Sequence, residues 1–195
     1  EALTKASRQI SSLATVAEVP PQILAQLSNV VAHERSALFM EDVNGVPRLL
    51  AHLGFPEGVP VDELNYNING THIFHFLKQQ SEPMLVNNTD QFQGWGQSAW
   101  LPADRSVLGL PLYSKTRVVG MLTLSRKDIA AFTRDDVLVA GTYATQAAIA
   151  LENARLFDEV NRFNQMMERM VEQRVAERTA QIEALRLAGP DFMRH

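Results

Sequence analysis

Cysteine is absent from the 195 residues, which removes disulfides, thiolate-ligated zinc, Fe–S clusters and thiol nucleophiles together. A basic excess is missing too: 18 Lys and Arg stand against 22 Asp and Glu, a formal charge of −4. The clustered positive charge that binds a phosphate backbone is therefore lacking, and nucleic acid is not an expected partner. No apolar run is long enough to span a membrane, so no membrane insertion of this segment is expected, and no stretch reads as a signal peptide. The chain starts at Glu1 without a Met and reads as a piece of something longer. It has no GxSxG elbow, no GxxxxGK[ST] phosphate loop and no HExxH helix, so no self-contained catalytic site is visible and catalytic residues are expected to be none. The lack of thiols suits a reducing compartment, and a cytoplasmic location is expected.

What is present is an ordinary globular composition, 46% apolar and 21% charged, in a chain long enough for one cored domain and an appendage. Leu3, Ala6, Ile10, Leu13, Val16 and Ala17 fall at helical spacing, predicting an incoming amphipathic helix. Pro20 and Pro21 are suited to the first turn of a second helix carrying Ile23, Leu24, Leu27, Val30 and Val31. From Arg35 the pattern turns strand-like, and Asn44-Gly45 between two apolar runs predicts a hairpin with a type I′ turn, both central residues at positive φ. Residues 71–80 predict a short helix capped by Thr71, and Met84-Leu85-Val86 a strand. The polar, aromatic stretch from Asn87 to Asp104, with Trp95 and Trp100, is too long for a plain connector. Residues 106–113 and 117–124 predict a second hairpin, apolar enough to lie centrally in a sheet. Thr133 and Asp136 form a capping-box pair opening a long helix, which has neither Gly nor Pro between Tyr143 and Ala188.

The run Arg105-Ser106-Val107-Leu108-Gly109-Leu110-Pro111-Leu112 resembles the Arg-Ser-x-Leu-x-x-Pro-Leu strand of the GAF family of sensory domains. Val119-Gly120-Met121-Leu122-Thr123-Leu124 is similar to that family's Ile-Gly-Val-Leu strand. Phe132-Thr133, Asp136 and the run Ala144 to Ala154 follow in order and at the family's separation. The resemblance covers roughly residues 15–157. It implies an α+β, GAF/PAS-like fold: a central antiparallel sheet of five or six strands, terminal helices on one face and a ligand cavity on the other. Asn87-Asn88 stand where the family often has an acidic residue, and residues 91–104 are individual to this chain, so no ligand identity follows.

A pocket drawn from the aromatic and polar residues expected around that cavity gathers Tyr66, His72, Phe74, His75, Phe92, Trp95, Trp100 and Arg105. The alternative is that these side chains fill the core and the domain serves dimerisation and relay alone. His72 and His75, three apart on a helix, could approach one metal with His52, but no cysteine or acidic ligand accompanies them, and neither metal nor haem is expected. A cysteine-linked bilin is excluded, and the residues that bind cyclic nucleotides in relatives are not found.

Beyond Ile149 the apolar positions run Leu156, Val160, Phe163, Met167, Val171, Val175 and Ile182, then Leu185. Steps of seven, four and three mark a coiled-coil seam, and the successive fours from 163 to 175 resemble a stutter. A parallel homodimer through this helix is the expectation, with a helix folded back on its own domain as the alternative. Residues 171–182 resemble the linker before sensor histidine kinase cores and, less exclusively, before diguanylate cyclases. Gly189-Pro190 ends the helix, and residues 191–195 resemble the approach to a kinase's phosphoacceptor helix, or are a tail. The expected organisation is an incoming linker (1–14), a GAF sensory domain (15–157), a coiled-coil output linker (158–188) and a tail (189–195). Its role would be to read a small molecule or dimer geometry and pass it to a covalently linked effector in two-component signal transduction.

Overall fold

The computed structural model describes residues 17–59, 72–92 and 104–188. Of the incoming helix expected over residues 2–18, residues 2–16 lie outside them, as does the tail 189–195. Helix α1 spans Val19–Leu27, with proline in its first turn and no side-chain cap from Glu18. It buries Val19, Ile23, Leu24 and Leu27, the 4-1-3 spacing of one helical face.

Strands β1 (Arg35–Glu41) and β2 (Pro47–Leu53) form the first hairpin. Its turn differs from the expected type I′: Gly45 alone has positive φ, at 79°, while Asn44 does not. Asp42 is the reason. Its Oδ1 accepts the amides of Asn44 at 2.8 Å and Val46 at 3.0 Å, and its carbonyl accepts the Gly45 amide at 3.0 Å. These bonds organise a three-residue loop that closes on a left-handed glycine.

Helix α2 (His72–Gln80) leads through Ser81, itself at φ 55°, to the short strand β3 (Met84–Val86). A 3-10 turn at Thr89–Gln91 is capped by the Asn88 side chain, which accepts from the Asp90 amide. Strands β4 (Ser106–Ser114) and β5 (Arg117–Arg126) form the second hairpin across Lys115-Thr116.

All strand pairs are antiparallel, in the order β2-β1-β5-β4-β3. Two bulges interrupt the register. Leu38 faces Ala51 but Phe39 faces Leu49, leaving Leu50 extra in β2. Leu112 faces Gly120 but Tyr113 faces Val118, leaving Val119 extra in β5.

The period-two alternation of the strands sorts the core into two clusters. Leu38, Leu108, Leu110, Leu112, Leu122 and Leu124 face α1 and the helix that follows β5. Ala37, Phe39, Val107 and Met121 face α2.

That last helix, α3, runs without interruption from Arg134 to Ala188. Its start is the expected reciprocal box: Thr133 Oγ1 accepts the Asp136 amide at 3.1 Å, and Asp136 Oδ2 accepts the Thr133 amide at 2.8 Å. Ala140, Tyr143, Ala144, Ala147 and Leu151 bury its first turns, and the Tyr143 hydroxyl donates to the Ile23 carbonyl at 2.8 Å, tying α1 to α3. The chain divides into two compact units, the first ending at Ala154 and the second starting at Arg155. No helix among the described residues is long and apolar enough to cross a membrane.

Candidate functional site

The sheet face under α2 is where the family resemblance implies a cavity. Phe39, Ile73, Phe74, Leu77, Met84, Val86, Val107 and Met121 are buried there, with Leu49, Phe55, Phe76 and Phe92 packed around them. Helix α2 sits directly on β4. A Cβ added at Gly109 would come 2.8 Å from Ile73 Cγ2 and 3.6 Å from Leu77 Cδ1, so this glycine is needed for close approach. At Gly109 the helix and the strand are thus in direct van der Waals contact.

Charged groups mark the two ends of the same face. At one, Glu41 at the end of β1 pairs with Lys78 of α2 and lies 3.5 Å from Arg117, while the Lys78 ammonium stands 5.5 Å from the centre of the Phe74 ring. At the other, Arg35 at the start of β1 pairs with Asp104, their side chains only 3% and 13% exposed. Thr89 Oγ1 donates to the Asp104 carbonyl at 2.5 Å, and the Thr89 amide to the Arg105 carbonyl at 3.1 Å, fastening the chain that enters β4. Burial pushes the Asp104 carboxyl above its ordinary range, and the Arg35 guanidinium and the Ser125 hydroxyl pull against that shift. Arg35 and Asp104 lie 69 residues apart, and nothing local in the sequence announces their pairing.

Of the residues gathered into the sequence-based pocket, Phe74 and Phe92 meet in one apolar cluster. His75 points to solvent and lies 2.7 Å from the Gln79 amide nitrogen. Arg105 is exposed and pairs with Asp90 at 3.3 Å. Tyr66, Trp95 and Trp100 lie outside the described residues, as does the side chain of His72. His52, on β2, is exposed and packs edge-on against Phe55 with ring centres 5.5 Å apart. Among the described residues no group of three His, Cys, Asp or Glu side chains is placed to hold a metal ion.

The second unit has a different character. Leu156, Val160, Phe163, Met167, Val171, Val175 and Ile182 are 42 to 66% exposed, and Phe157, Met166 and Met170 lie exposed beside them. Such a repeating apolar stripe on a helix leaves its burial to some other surface. Ion pairs flank the stripe, Arg155 with Glu159 at 3.4 Å and Asp158 with Arg162 at 2.5 Å, each four residues apart.

The fold is shared with solved structures of low sequence identity. The GAF domain of a phosphoenolpyruvate-protein phosphotransferase from Coxiella burnetii superposes with a TM-score of 0.67 at 15% identity, over 81% of this chain and 95% of that one. Free methionine-R-sulfoxide reductase from Neisseria meningitidis gives 0.64 at 18% identity, over 80% and 89%. A domain assigned to a two-component sensor histidine kinase protein from Sinorhizobium meliloti 1021 gives 0.54 at 19%, over 73% and 94%. No curated protein sequence matches the chain. The profile of the GAF domain family matches residues 18–151, more than half the chain. With its five-stranded antiparallel sheet and flanking helices, the chain belongs to the GAF domain family, whose members are sensory and regulatory domains.

Proposed function

We propose that this GAF domain is a relay module that works as a parallel homodimer and passes its state along α3 to a covalently linked effector. The observation that carries this reading is the exposed stripe from Leu156 to Ile182. Its steps of three, four and seven suit a second copy of the same helix, and the run of fours between Phe163 and Val175 permits two near-equal packings that a stimulus can bias. The effector is proposed to be a sensor histidine kinase in the cytoplasm. Residues 171–182 resemble the linker before such kinase cores, and the Sinorhizobium domain of that class shares the fold. The chain itself is proposed to be non-catalytic. Two structural relatives are methionine sulfoxide reductases, yet a chain without cysteine has no thiol to bring to such chemistry.

Whether a small molecule sets the state is a separate matter, and two readings stand. A ligand site around Tyr66, His72, Phe74, His75, Phe92, Trp95, Trp100 and Arg105 is supported by the shared cluster of Phe74 and Phe92. The ligand-free reading is favoured by the close seating of α2 on Gly109. Native mass spectrometry of the 195-residue chain separates them. A dimer carrying extra mass supports ligand reading, and a bare dimer supports relay of dimer geometry alone. A monomer, or a dimer that survives replacement of both Phe163 and Met167 by Glu, overturns the relay.

A further inference from the structure

Seven methionines occur in the chain, and six lie among the described residues. Met84 and Met121 are buried in the sheet core at 9% and 0% exposure, and Met40 packs partly buried against it. The other three, Met166, Met167 and Met170, crowd into five residues of α3 and are 56, 42 and 48% exposed. They fall inside the run of fours from Phe163 to Val175, where the apolar stripe changes its step. At about 100° per residue, Met170 and Met166 lie roughly 60° and 100° round the helix from Met167, both on the same side. Met167 therefore sits in the stripe and the other two at its rim, where water reaches them even when the stripe is covered. Leucine forms helices at least as well and fills a seam with better-defined rotamers, so three methionines are not what a static seam calls for. An unbranched thioether repacks readily, which suits a stretch with two packings, and it brings a chemistry that leucine lacks.

We infer that Met166, Met167 and Met170 form an oxidation site through which hydroperoxides loosen the dimer seam. The inference rests on the parallel-dimer reading above and names how that seam is regulated. A lone pair of the thioether sulfur attacks one peroxide oxygen, the O–O bond breaks as the S–O bond forms, and the departing oxygen takes the proton of the transferred one and leaves as water or alcohol. The sulfur loses two electrons and the peroxide gains them, so each thioether becomes a sulfoxide with no further reactant. Met166 and Met170 meet peroxide in the assembled dimer, and Met167 meets it as the seam shifts between its two packings. The sulfoxide oxygen is strongly polar, and burying it without a hydrogen-bond partner is unfavourable. Its stripe neighbours Phe163, Val171 and Val175 have no side-chain donor to offer. In a symmetric dimer every modified position occurs twice, so the effect falls on both sides of the seam. The lack of cysteine sharpens the selectivity: no thiol of the chain consumes the peroxide first, and none reduces the sulfoxide afterwards, so reversal falls to a separate thiol-dependent sulfoxide reductase. The core methionines are shielded by burial, which directs the modification to the seam and leaves the sensory domain folded.

Hydrogen peroxide is the probe, added to the 195-residue chain, with peptide mass mapping to follow each methionine and sedimentation to read the dimer. Met166 and Met170 are expected to gain oxygen at least about tenfold faster than Met84 and Met121, because the reaction follows exposure. Modification of all three stripe methionines is expected to raise the dimer dissociation constant at least about tenfold, since each half of the seam then carries an unpartnered polar group. The triple variant Met166→Leu/Met167→Leu/Met170→Leu should dimerise as the parent does and ignore peroxide, because the swap conserves volume and helix propensity. Met167→Gln, which places a polar group in the stripe without any oxidant, should weaken the dimer in the same direction. Equal oxidation rates for stripe and core methionines, a dissociation constant unchanged after full modification, or an equal loss of dimer in the triple variant each overturns the inference. The two readings fail separately. A chain that is monomeric before any peroxide is added removes the dimer and the oxidation site together, whereas a dimer that is oxidised and does not loosen removes the oxidation site alone.

Discussion

Removing Asp104 while leaving Arg35 in place tests how the far end of the α2 face is held. The Arg35 side chain is 3% exposed, so its guanidinium cannot turn to water without rearranging the start of β1. Breaking a buried pair from one side costs about 3–5 kcal/mol, because a buried charge is left behind. Asp104 keeps 13% exposure, which places Asp104→Leu near the lower end, about 3 kcal/mol. In a domain of this size that lowers the melting midpoint by roughly 6–12 °C. Arg35→Met should cost a similar amount. The double variant Arg35→Met/Asp104→Leu should return to within about 1 kcal/mol of the parent, because an apolar pair avoids the desolvation of both ions. Acidity adds a second reading. Burial, the larger effect, raises the Asp104 carboxyl above its ordinary value of 3.8, so the folded chain holds that proton more tightly than the unfolded chain does. This contribution is complete below the ordinary value and is lost as pH rises from there through the raised folded value. Asp104→Asn should flatten the stability profile in that window. Urea unfolding followed by fluorescence of Trp95 and Trp100 measures the four variants and the parent. Single substitutions costing less than about 1 kcal/mol, or a double variant as unstable as the sum of its singles, would refute the buried-pair reasoning.

Gly109→Ala should destabilise by about 1–3 kcal/mol through overpacking against Ile73, which is itself buried. In that background Ile73→Ala should cost clearly less than it does in the parent, as a double-mutant cycle in urea would read. Thr133→Ala should cost about 1 kcal/mol by removing the cap at the start of α3, with Thr133→Ser largely neutral; equal thermal midpoints for all three proteins would show that the box contributes nothing.

Features that depend on residues close in the chain were legible in the sequence. Thr133 and Asp136 lie one turn apart, and their reciprocal bonds follow from that spacing. The strongly apolar runs 106–113 and 117–124 locate the central hairpin because both faces of each strand meet a layer of core. At Asn44-Gly45 the hairpin was foreseen but the turn type was not: the dipeptide signals reversal, while the carboxylate of Asp42 chooses the loop. Features made by distant segments left no local mark. Arg35 could have been a surface residue at a strand entrance, and only the arrival of Asp104 makes it a buried ion. Among the expected pocket residues, Phe74 is drawn inward by its helical face, whereas His75, one step of about 100° further round, looks outward. Periodicity could separate those two. It could not tell whether the inward side lines a space or fills it, because that depends on how closely α2 approaches Gly109.

The sheet's two rims bear on what happens when many copies crowd together. An open row of backbone amides and carbonyls invites another chain to add a strand, and repeated addition grows a fibre. Here β3 offers three residues behind Pro83, too short a template to hold a newcomer in register. The rim at β2 carries the Leu50 bulge, which twists the strand and breaks the regular ladder, and it has Arg48 exposed along it. Even at high local concentration, then, strand-to-strand polymerisation finds little foothold on the described rims.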